Sequence, residues 1–331
     1  MTFASRVSVP ILLAVLLLAL PFPAAHADQA SDLEAAKVHY FARRDGEARA
    51  AFETILARDS RADEALYYLA RLAKRQRDWA TVAARLEEAV KIVPNSAMYW
   101  GDLGEAYGNQ ARGAGALSQL SLARKTLAAL KKAAALDPSN LAIRNGLVEF
   151  YREAPWIAGG GIDKAYDEAK DIAKIDPYRG AVISGGLYQH EEKWSEAERN
   201  YRNAIRLQPE NSEARFALAQ LMIGTGRHDE AFTMLEDILQ ANPRHFASLY
   251  QIGRVAALSG KRLDRGEAAL REYIAASVQA MGLPSVAHAW HRLGNVLERK
   301  GDSTGAREAY QKALEIDPKL KEAADALAKL L

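Results

Sequence analysis

Cysteine is absent from this sequence of 331 residues. Its absence excludes disulfides, thiolate metal sites, a cysteine nucleophile and the lipid-modified cysteine of a bacterial lipoprotein. Excess charge is also nearly absent, because 44 lysines and arginines face 42 aspartates and glutamates. Because the charges are so nearly balanced, the chain lacks the excess of positive charge that favours binding to nucleic acid. No segment shows the apolar–polar alternation of a strand, so we expect an all-α fold.

Glycine-rich stretches occur twice, and neither has the context of a nucleotide site. Residues 159–161 are three glycines near Lys164, but no Gly-Lys-Ser/Thr follows and no strand precedes them. Residues 113–115 fail the dinucleotide pattern, because Ser118 stands where its last glycine or alanine should be. We therefore predict no nucleotide cofactor and interpret both stretches as bending turns.

Catalytic and metal-binding constellations are missing too. No Ser-His-Asp order and no paired carboxylates in an apolar setting are present, so we predict that the protein is not an enzyme. His288 and His291 stand one helical turn apart, but no third ligand is nearby and Arg299 would repel a cation. We predict no bound metal there.

The N-terminus has the composition of an export signal. Arg6 precedes an apolar run at residues 9–20, and residues 25–27, Ala-His-Ala, form a small-residue cleavage site. This pattern predicts a signal peptide over residues 1–27, removed after Ala27, and hence a periplasmic or secreted protein. The alternative is an uncleaved anchor, which we favour less because prolines shorten the uninterrupted apolar span.

One unit recurs along the rest of the chain. In its last copy, Trp290, Leu293, Gly294 and Leu297 share one helical face. A second apolar stripe follows over residues 306–316, and Pro318 closes the unit.

This helix–turn–helix unit resembles the tetratricopeptide repeat, with Leu297 in place of that pattern's aromatic residue. Closing prolines recur at Pro94, Pro138, Pro177, Pro209 and Pro243 as well, and the last two are 34 residues apart, the period of that repeat.

The resemblance implies an all-α, right-handed superhelical solenoid of about eight helix pairs over residues 28–331. Residues 318–331 would supply a capping helix, because the terminal units of a stacked array need a covering surface. We expect Asp317 to cap that helix ahead of Pro318. We also expect Gly104 and Gly294 to lie where a partner helix approaches closely, with Tyr310 filling a wider gap.

Two units exceed the period, and the excess falls at residues 108–115 and 154–161. We expect both insertions to be turns between the helices of a pair, sharing one edge of the solenoid. A third irregularity, residues 279–285, lengthens the link before the last unit. For Trp156 and Ile157 we favour packing onto the adjoining helices over presentation as a contact.

The side of each first helix opposite its packed stripe is the predicted binding surface. In the tetratricopeptide-repeat proteins that this chain resembles, that side lines a groove that binds a peptide or protein segment. His288, Asn295 and Arg299 lie there in the last unit, with His291 at the margin. The same position relative to the packed stripe, applied to each first helix, gives the predicted groove residues Tyr67, Arg71, Lys74, Arg75, Arg179, Gln189, Phe216, Gln220, Tyr250, Arg254, His291 and Asn295.

Aromatic rings offer contact area and a guanidinium group binds carboxylates, so these residues are suited to binding an extended polypeptide. The alternative at each position is an ordinary solvated face. The lysine, asparagine and arginine set that holds a C-terminal carboxylate in the best-known members is not found on adjacent units. We predict a protein-binding scaffold; the alternative is a self-assembling subunit, or one associated with a transporter or membrane complex.

Overall fold

The computed structural model describes residues 24–276 and 282–330, and the regular structure within them is entirely helical. The helices group into two units, with the boundary between Pro138 and Ser139. Because Pro138 is one of the closing prolines, the boundary falls between two repeats. The predicted cleavage site after Ala27 lies inside the first helix, which begins at Ala24.

The first unit consists of three helix pairs in chain order. They are α1 (Ala24–Phe41) with α2 (Asp45–Arg58), α3 (Asp63–Arg75) with α4 (Trp79–Ile92), and α5 (Ala97–Gly113) with α6 (Ala116–Leu136). The second helix of a pair also packs against the first helix of the next, as α2 does on α3 and α4 on α5.

The second unit contains five pairs and a final helix. They are α7 (Leu141–Glu153) with α8 (Ile162–Ile175), α9 (Pro177–His190) with α10 (Trp194–Leu207), α11 (Ser212–Gly224) with α12 (His228–Ala241), α13 (Phe246–Ser259) with α14 (Leu263–Ala275), α15 (Val286–Arg299) with α16 (Ser303–Ile316), and α17 (Lys321–Ala328), which packs on α16. Eight pairs and a closing helix confirm the predicted architecture.

Side-chain caps start many of these helices where the sequence supplies a short polar residue or, in one case, a histidine. Each accepts a hydrogen bond from a backbone N–H in the first turn and so satisfies a group that the helix leaves unpaired. The capping residues are Asp78, Ser96, Asn140, Asp176, Asn211, His245, Ser285 and Asp302.

The predicted cap at Asp317 is wrong. The final helix begins at Lys321, and the Asp317 side chain instead accepts a hydrogen bond from the Lys319 N–H at 3.0 Å. Asp317 therefore stabilises the turn after α16. The same Asp-Pro pair does start a helix at Asp176 and Pro177, where Pro177 is the first helical residue.

Close helix approach at glycine is confirmed in the third pair. A Cβ built on Gly104 of α5 would lie 2.9 Å from the Leu130 Cγ of α6. Since real side chains do not approach so closely, only glycine fits this position without movement of Leu130. The propensity cost of glycine inside α5 is therefore offset by packing.

The insertion at residues 108–115 is not the predicted turn. The α5 helix continues to Gly113 and α6 begins at Ala116, so the extra residues lengthen both helices to 17 and 21 residues. Helix continuation pairs backbone groups that a long loop would leave to water, and α5 and α6 remain packed on each other. Whether the two insertions share an edge stays a prediction.

The second insertion does form a connection, but its apolar pair is not tucked away. It contains one short 3-10 helix, Trp156–Ala158, in which Trp156 is 84% exposed and Ile157 is 51% exposed. The favoured packing of these two side chains onto the adjoining helices is therefore wrong. The third irregularity, residues 279–285, lies partly outside the described residues.

Candidate partner-binding surface

The first-helix face is the side of each first helix opposite the stripe that packs on its second helix. The predicted groove residues differ widely in their exposure on this face. Arg71, Arg179 and Gln220 are exposed, Lys74, Arg75, Gln189, Phe216, Arg254 and Asn295 are half-buried, and Tyr67, Tyr250 and His291 are buried.

The three buried rings are corrections to the sequence prediction. Tyr250 is 7% exposed, and its ring centroid lies 5.7 Å from that of Tyr273 on the partner helix α14. His291 lies 5.8 Å from Tyr310 on the partner helix α16 in the same way. Long side chains lean from their own Cα onto neighbouring elements, so a ring at the margin of the face reaches the core.

An arginine platform forms the exposed part of the face in the first unit. The Arg71 guanidinium lies 5.5 Å from the Tyr40 ring centroid and 5.6 Å from that of Tyr67. The Arg75 guanidinium lies 3.8 Å from the Tyr40 ring and pairs with Asp45. Arg75 is therefore committed to holding α1, α2 and α3 together, whereas Arg71 keeps an exposed charge over two rings.

Burial changes the titration of the groups behind this platform. It raises the pKa of Tyr67 to about 12, with the nearby Asp102 carboxylate adding to the effect. Burial also raises the pKa of Asp102, and the Lys74 ammonium, 3.8 Å away, opposes that rise. Lys74 makes its shorter ion pair, 2.5 Å, with Glu105. These groups are mutually satisfied and form a structural polar network.

Two predicted amides serve packing instead. In α9, the Gln189 Oε1 accepts a hydrogen bond from the Tyr201 hydroxyl at 2.9 Å. In α15, the Asn295 Oδ1 lies 2.8 Å from the Tyr310 hydroxyl in the same role. Both amides accept from a tyrosine hydroxyl of the second helix, and the Tyr310 hydroxyl also lies 2.8 Å from the Glu298 Oε2.

Arg179 and Phe216 are also engaged within the second unit. The Arg179 Nη1 lies 3.2 Å from the Glu213 Oε1, although both side chains remain well exposed. The Phe216 ring packs edge-on against His245, whose pKa is lowered by burial. Phe216 therefore covers the cap of α13, and only its outer edge faces solvent.

Arg254 on α13 is the least committed cation of the predicted set. Its Nη1 makes a long hydrogen bond, 3.4 Å, to the Gln251 Oε1. Within the described residues, no carboxylate lies within ion-pairing distance of Arg254. Elsewhere in the unit, Arg265 pairs with Glu236 at 2.8 Å, so paired arginine is common here.

Sequence analysis missed two residues of this region, Gln251 and Arg292. Gln251 lies one turn before Arg254, and Arg292 belongs to α15, which contacts α13. The Arg292 Nε is buried without a hydrogen-bond partner in the described structure. A search that included the residue after each margin ring, Tyr250 and His291, would have found both.

The described part of the chain was also compared with what a metal site and a membrane span require. Residues 24–276 and 282–330 contain no group of three or more His, Asp or Glu placed to hold a metal ion. His288 Nδ1 contacts the Ser285 Oγ at 2.7 Å. None of the described helices combines the length and apolarity that a bilayer crossing needs.

Comparison with protein families gives three matches along the chain. Models described as tetratricopeptide repeat match residues 33–97, 189–252 and 287–320. The matched segments include α3 and α11, nearly all of α15 and the first half of α13 up to residue 252, so Arg254 lies just beyond them.

Solved structures and a curated relative are similar as well. A tetratricopeptide repeat protein from Parabacteroides merdae superposes with a TM-score of 0.54 at 16% identity, over 81% of this chain and 98% of that one. The APC/C hetero-tetramer Cut9–Hcn1 gives a TM-score of 0.53 at 16% identity, over 87% of this chain and 52% of that one. Such low identities establish similarity of fold only.

Human protein O-mannosyl-transferase TMTC1 is 25% identical over 198 residues, which is 50% of this chain. The chain spans only 22% of that relative's length, so nothing about its activity is carried over.

Proposed function

This chain is a tetratricopeptide-repeat protein, and we propose that it is a non-enzymatic scaffold that binds an extended polypeptide segment on its first-helix face. The observation that carries this proposal is Arg254, a half-buried arginine whose guanidinium is held, among the described residues, only by a long hydrogen bond to an amide. A partly desolvated cation without a carboxylate favours an incoming acceptor, because charged hydrogen bonds are stronger away from bulk water.

The neighbours of Arg254 suit the same ligand. Gln251, which already contacts Arg254, offers an amide that both donates and accepts. Backbone carbonyls and acidic side chains of a bound segment would satisfy the donors of Gln251 and Arg254. The half-buried edge of Phe216 adds apolar area on the preceding first helix.

The first unit offers a second contact of similar chemistry. Arg71 presents an exposed charge above the rings of Tyr40 and Tyr67, which hold the guanidinium in a fixed position. A side chain restrained in this way loses less conformational entropy on binding than a free one. We propose that Arg71 binds a carboxylate of a partner.

We propose further that the protein works in the bacterial periplasm or outside the cell. Support comes from the sequence: Arg6, the apolar run at residues 9–20 and the Ala-His-Ala site at residues 25–27. The second candidate function is a structural subunit of a larger assembly. It is favoured by the similarity of fold to Cut9, which is part of a hetero-tetramer with Hcn1.

Charge reversal at Arg254 tests the scaffold proposal. Arg254→Glu and wild type would be crosslinked in the cells that produce the protein, and their partners quantified by mass spectrometry. We expect the polypeptide partners of wild type to be lost by about tenfold or more, because truncated contacts of this kind commonly cost ~1–3 kcal/mol.

Arg206→Glu is the matched control, since Arg206 is exposed on the second helix α10 and bonds only to Asn203 in the described structure. Its partner set should equal that of wild type, and both variants should melt like wild type. An unchanged partner set with Arg254→Glu would contradict the proposed surface. Light scattering of the purified protein tests the self-assembling form of the second candidate, because that form requires a stable oligomer without other partners.

A further inference from the structure

The connection between α7 and α8 presents a tryptophan to solvent. Trp156 is 84% exposed, more than any other tryptophan of the described chain, and the adjacent Ile157 is 51% exposed. Exposed aromatic residues of this size are enriched at the centres of protein interfaces. The repeat fold does not bury this side chain, because Ala158 is the buried residue of the short 3-10 helix.

Three successive glycines shape this connection, each for a reason visible in the structure. Gly159 has φ +98° and Gly161 has φ +150°, conformations that other residues rarely adopt. A Cβ on Gly160 would lie 1.8 Å from the Ala154 carbonyl oxygen. The backbone therefore passes through one narrow route that only glycine permits.

Hydrogen bonds then hold that route in place. The Lys164 ammonium donates to the carbonyl oxygens of Gly159 at 2.8 Å and Gly160 at 3.4 Å. The N–H of Gly161 donates to the Tyr151 carbonyl at 2.8 Å, and the N–H of Gly160 to the Pro155 carbonyl at 3.2 Å. A lysine fixed by carbonyl oxygens also excludes the phosphate-binding arrangement, in which backbone N–H groups point at the anion.

A rigid loop with satisfied backbone groups can be covered without leaving those groups unpaired. The charges around its tip indicate what covers it. Arg152 and Glu153 form an ion pair at 2.9 Å, and Asp163 and Lys164 follow on α8. Charges of both signs thus flank the connection at the end of α7 and the start of α8. Their carboxylates oppose approach to an anionic lipid surface, whereas mixed charge matches the polar rim of a protein interface.

We propose that Trp156, with Ile157 beside it, is a docking knob that enters an apolar pocket of a partner protein. The three glycines and the hydrogen bonds of Lys164 fix the backbone of the loop that carries the indole. The polar rim of the pocket would contact the charged side chains of Arg152, Glu153 and Asp163. This contact is separate from the one assigned to Arg254, and it gives the second unit a second point of attachment.

Site-specific photocrosslinking tests the assignment. A benzophenone amino acid would replace Trp156 in the full-length chain, and in a matched protein would replace Trp194, which is 42% exposed on α10. We expect one discrete protein adduct from position 156 that position 194 does not give. Arg254→Glu should leave this adduct in place, which distinguishes failure here from failure of the proposed groove.

The crosslinked protein would then be purified and its Kd measured. Trp156→Ala should weaken binding by about ten- to a hundredfold, whereas Trp194→Ala should not change it. Lys164→Met keeps the indole but removes the hydrogen bonds that hold the loop backbone, so it should weaken binding by less than Trp156→Ala does. No adduct, an adduct with lipid or with a second copy of this chain, or an unchanged Kd for Trp156→Ala would overturn the proposal.

Discussion

The backbone of Gly294 in α15 lies directly beneath the ring of Tyr310 in α16. A Cβ built on Gly294 would fall 2.3 Å from the Tyr310 Cε1, well inside the closest approach of real atoms. Gly185 and Tyr201 have the same relationship at 2.6 Å in an earlier pair. In these two pairs the helices are thus brought together by a missing side chain on one helix and a large ring on the other.

Filling that space should destabilise the fold. We expect Gly294→Ala to lower the free energy of unfolding by ~1–3 kcal/mol, because the ring of the fully buried Tyr310 has no open side to move toward. Gly224→Ala is the control, since a Cβ there meets nothing within 4 Å. It should be neutral or slightly stabilising. Urea unfolding of both variants tests this prediction. Equal urea concentrations at the unfolding midpoint for the two variants would contradict the packing argument.

Tyr250 should matter to stability, contrary to its assignment as a surface residue. Because its ring is buried against Tyr273, we expect Tyr250→Ala to cost ~3 kcal/mol or more. Arg254→Glu on the same helix should stay within ~0.5 kcal/mol of wild type. Thermal melts of the two variants provide the comparison. A Tyr250→Ala protein as stable as wild type would return Tyr250 to the exposed face.

His291 should make the protein sensitive to mild acid. Burial, reinforced by the neighbouring Arg292 charge, lowers the pKa of His291 from 6.5 to about 4. Between these values the unfolded chain binds a proton that the folded chain does not, so stability falls as the pH drops from about 6.5 toward 4. The loss attributable to this residue approaches ~3 kcal/mol at the lower limit.

Unfolding free energies measured across this pH range test the assignment. His291→Leu should flatten the slope by the expected amount, whatever its effect at pH 7. An identical pH profile for wild type and His291→Leu would show that another group is responsible.

Removal of residues 1–27 should lower the molecular mass of the exported protein. We expect the exported protein to begin at Asp28, because residues 25–27 form a signal-peptidase site after an apolar run. Intact mass spectrometry of the secreted or periplasmic fraction gives the answer. Retention of residues 1–27 would favour the uncleaved anchor.

The helices and their order could be predicted from the sequence because their signals are local. Spacings of three and four place Trp290, Leu293 and Gly294 on one face, and the closing prolines mark the end of most repeats. Helix caps such as Ser96 and Asp302 depend on one residue and the turn that follows it. These features need no knowledge of distant neighbours.

The candidate surface could be predicted only in part, because a helical offset gives the direction of a Cα–Cβ bond and not the reach of the side chain. Arg71, Gln220 and Arg254 do retain exposure, while Tyr67 and His291 lean into the core. The amide of Asn295 is claimed by Tyr310, fifteen residues away. Such pairings depend on which second helix lies beside the first.

What the sequence determined by itself is therefore the repeat, its helix pairs and the glycine positions where helices meet. Only the tertiary structure decided that residues 108–113 continue α5, that Tyr250 packs inward and that Trp156 points outward. The reason is physical: periodicity is encoded within one turn of helix. Burial of a given ring depends instead on the space that non-local neighbours leave for it.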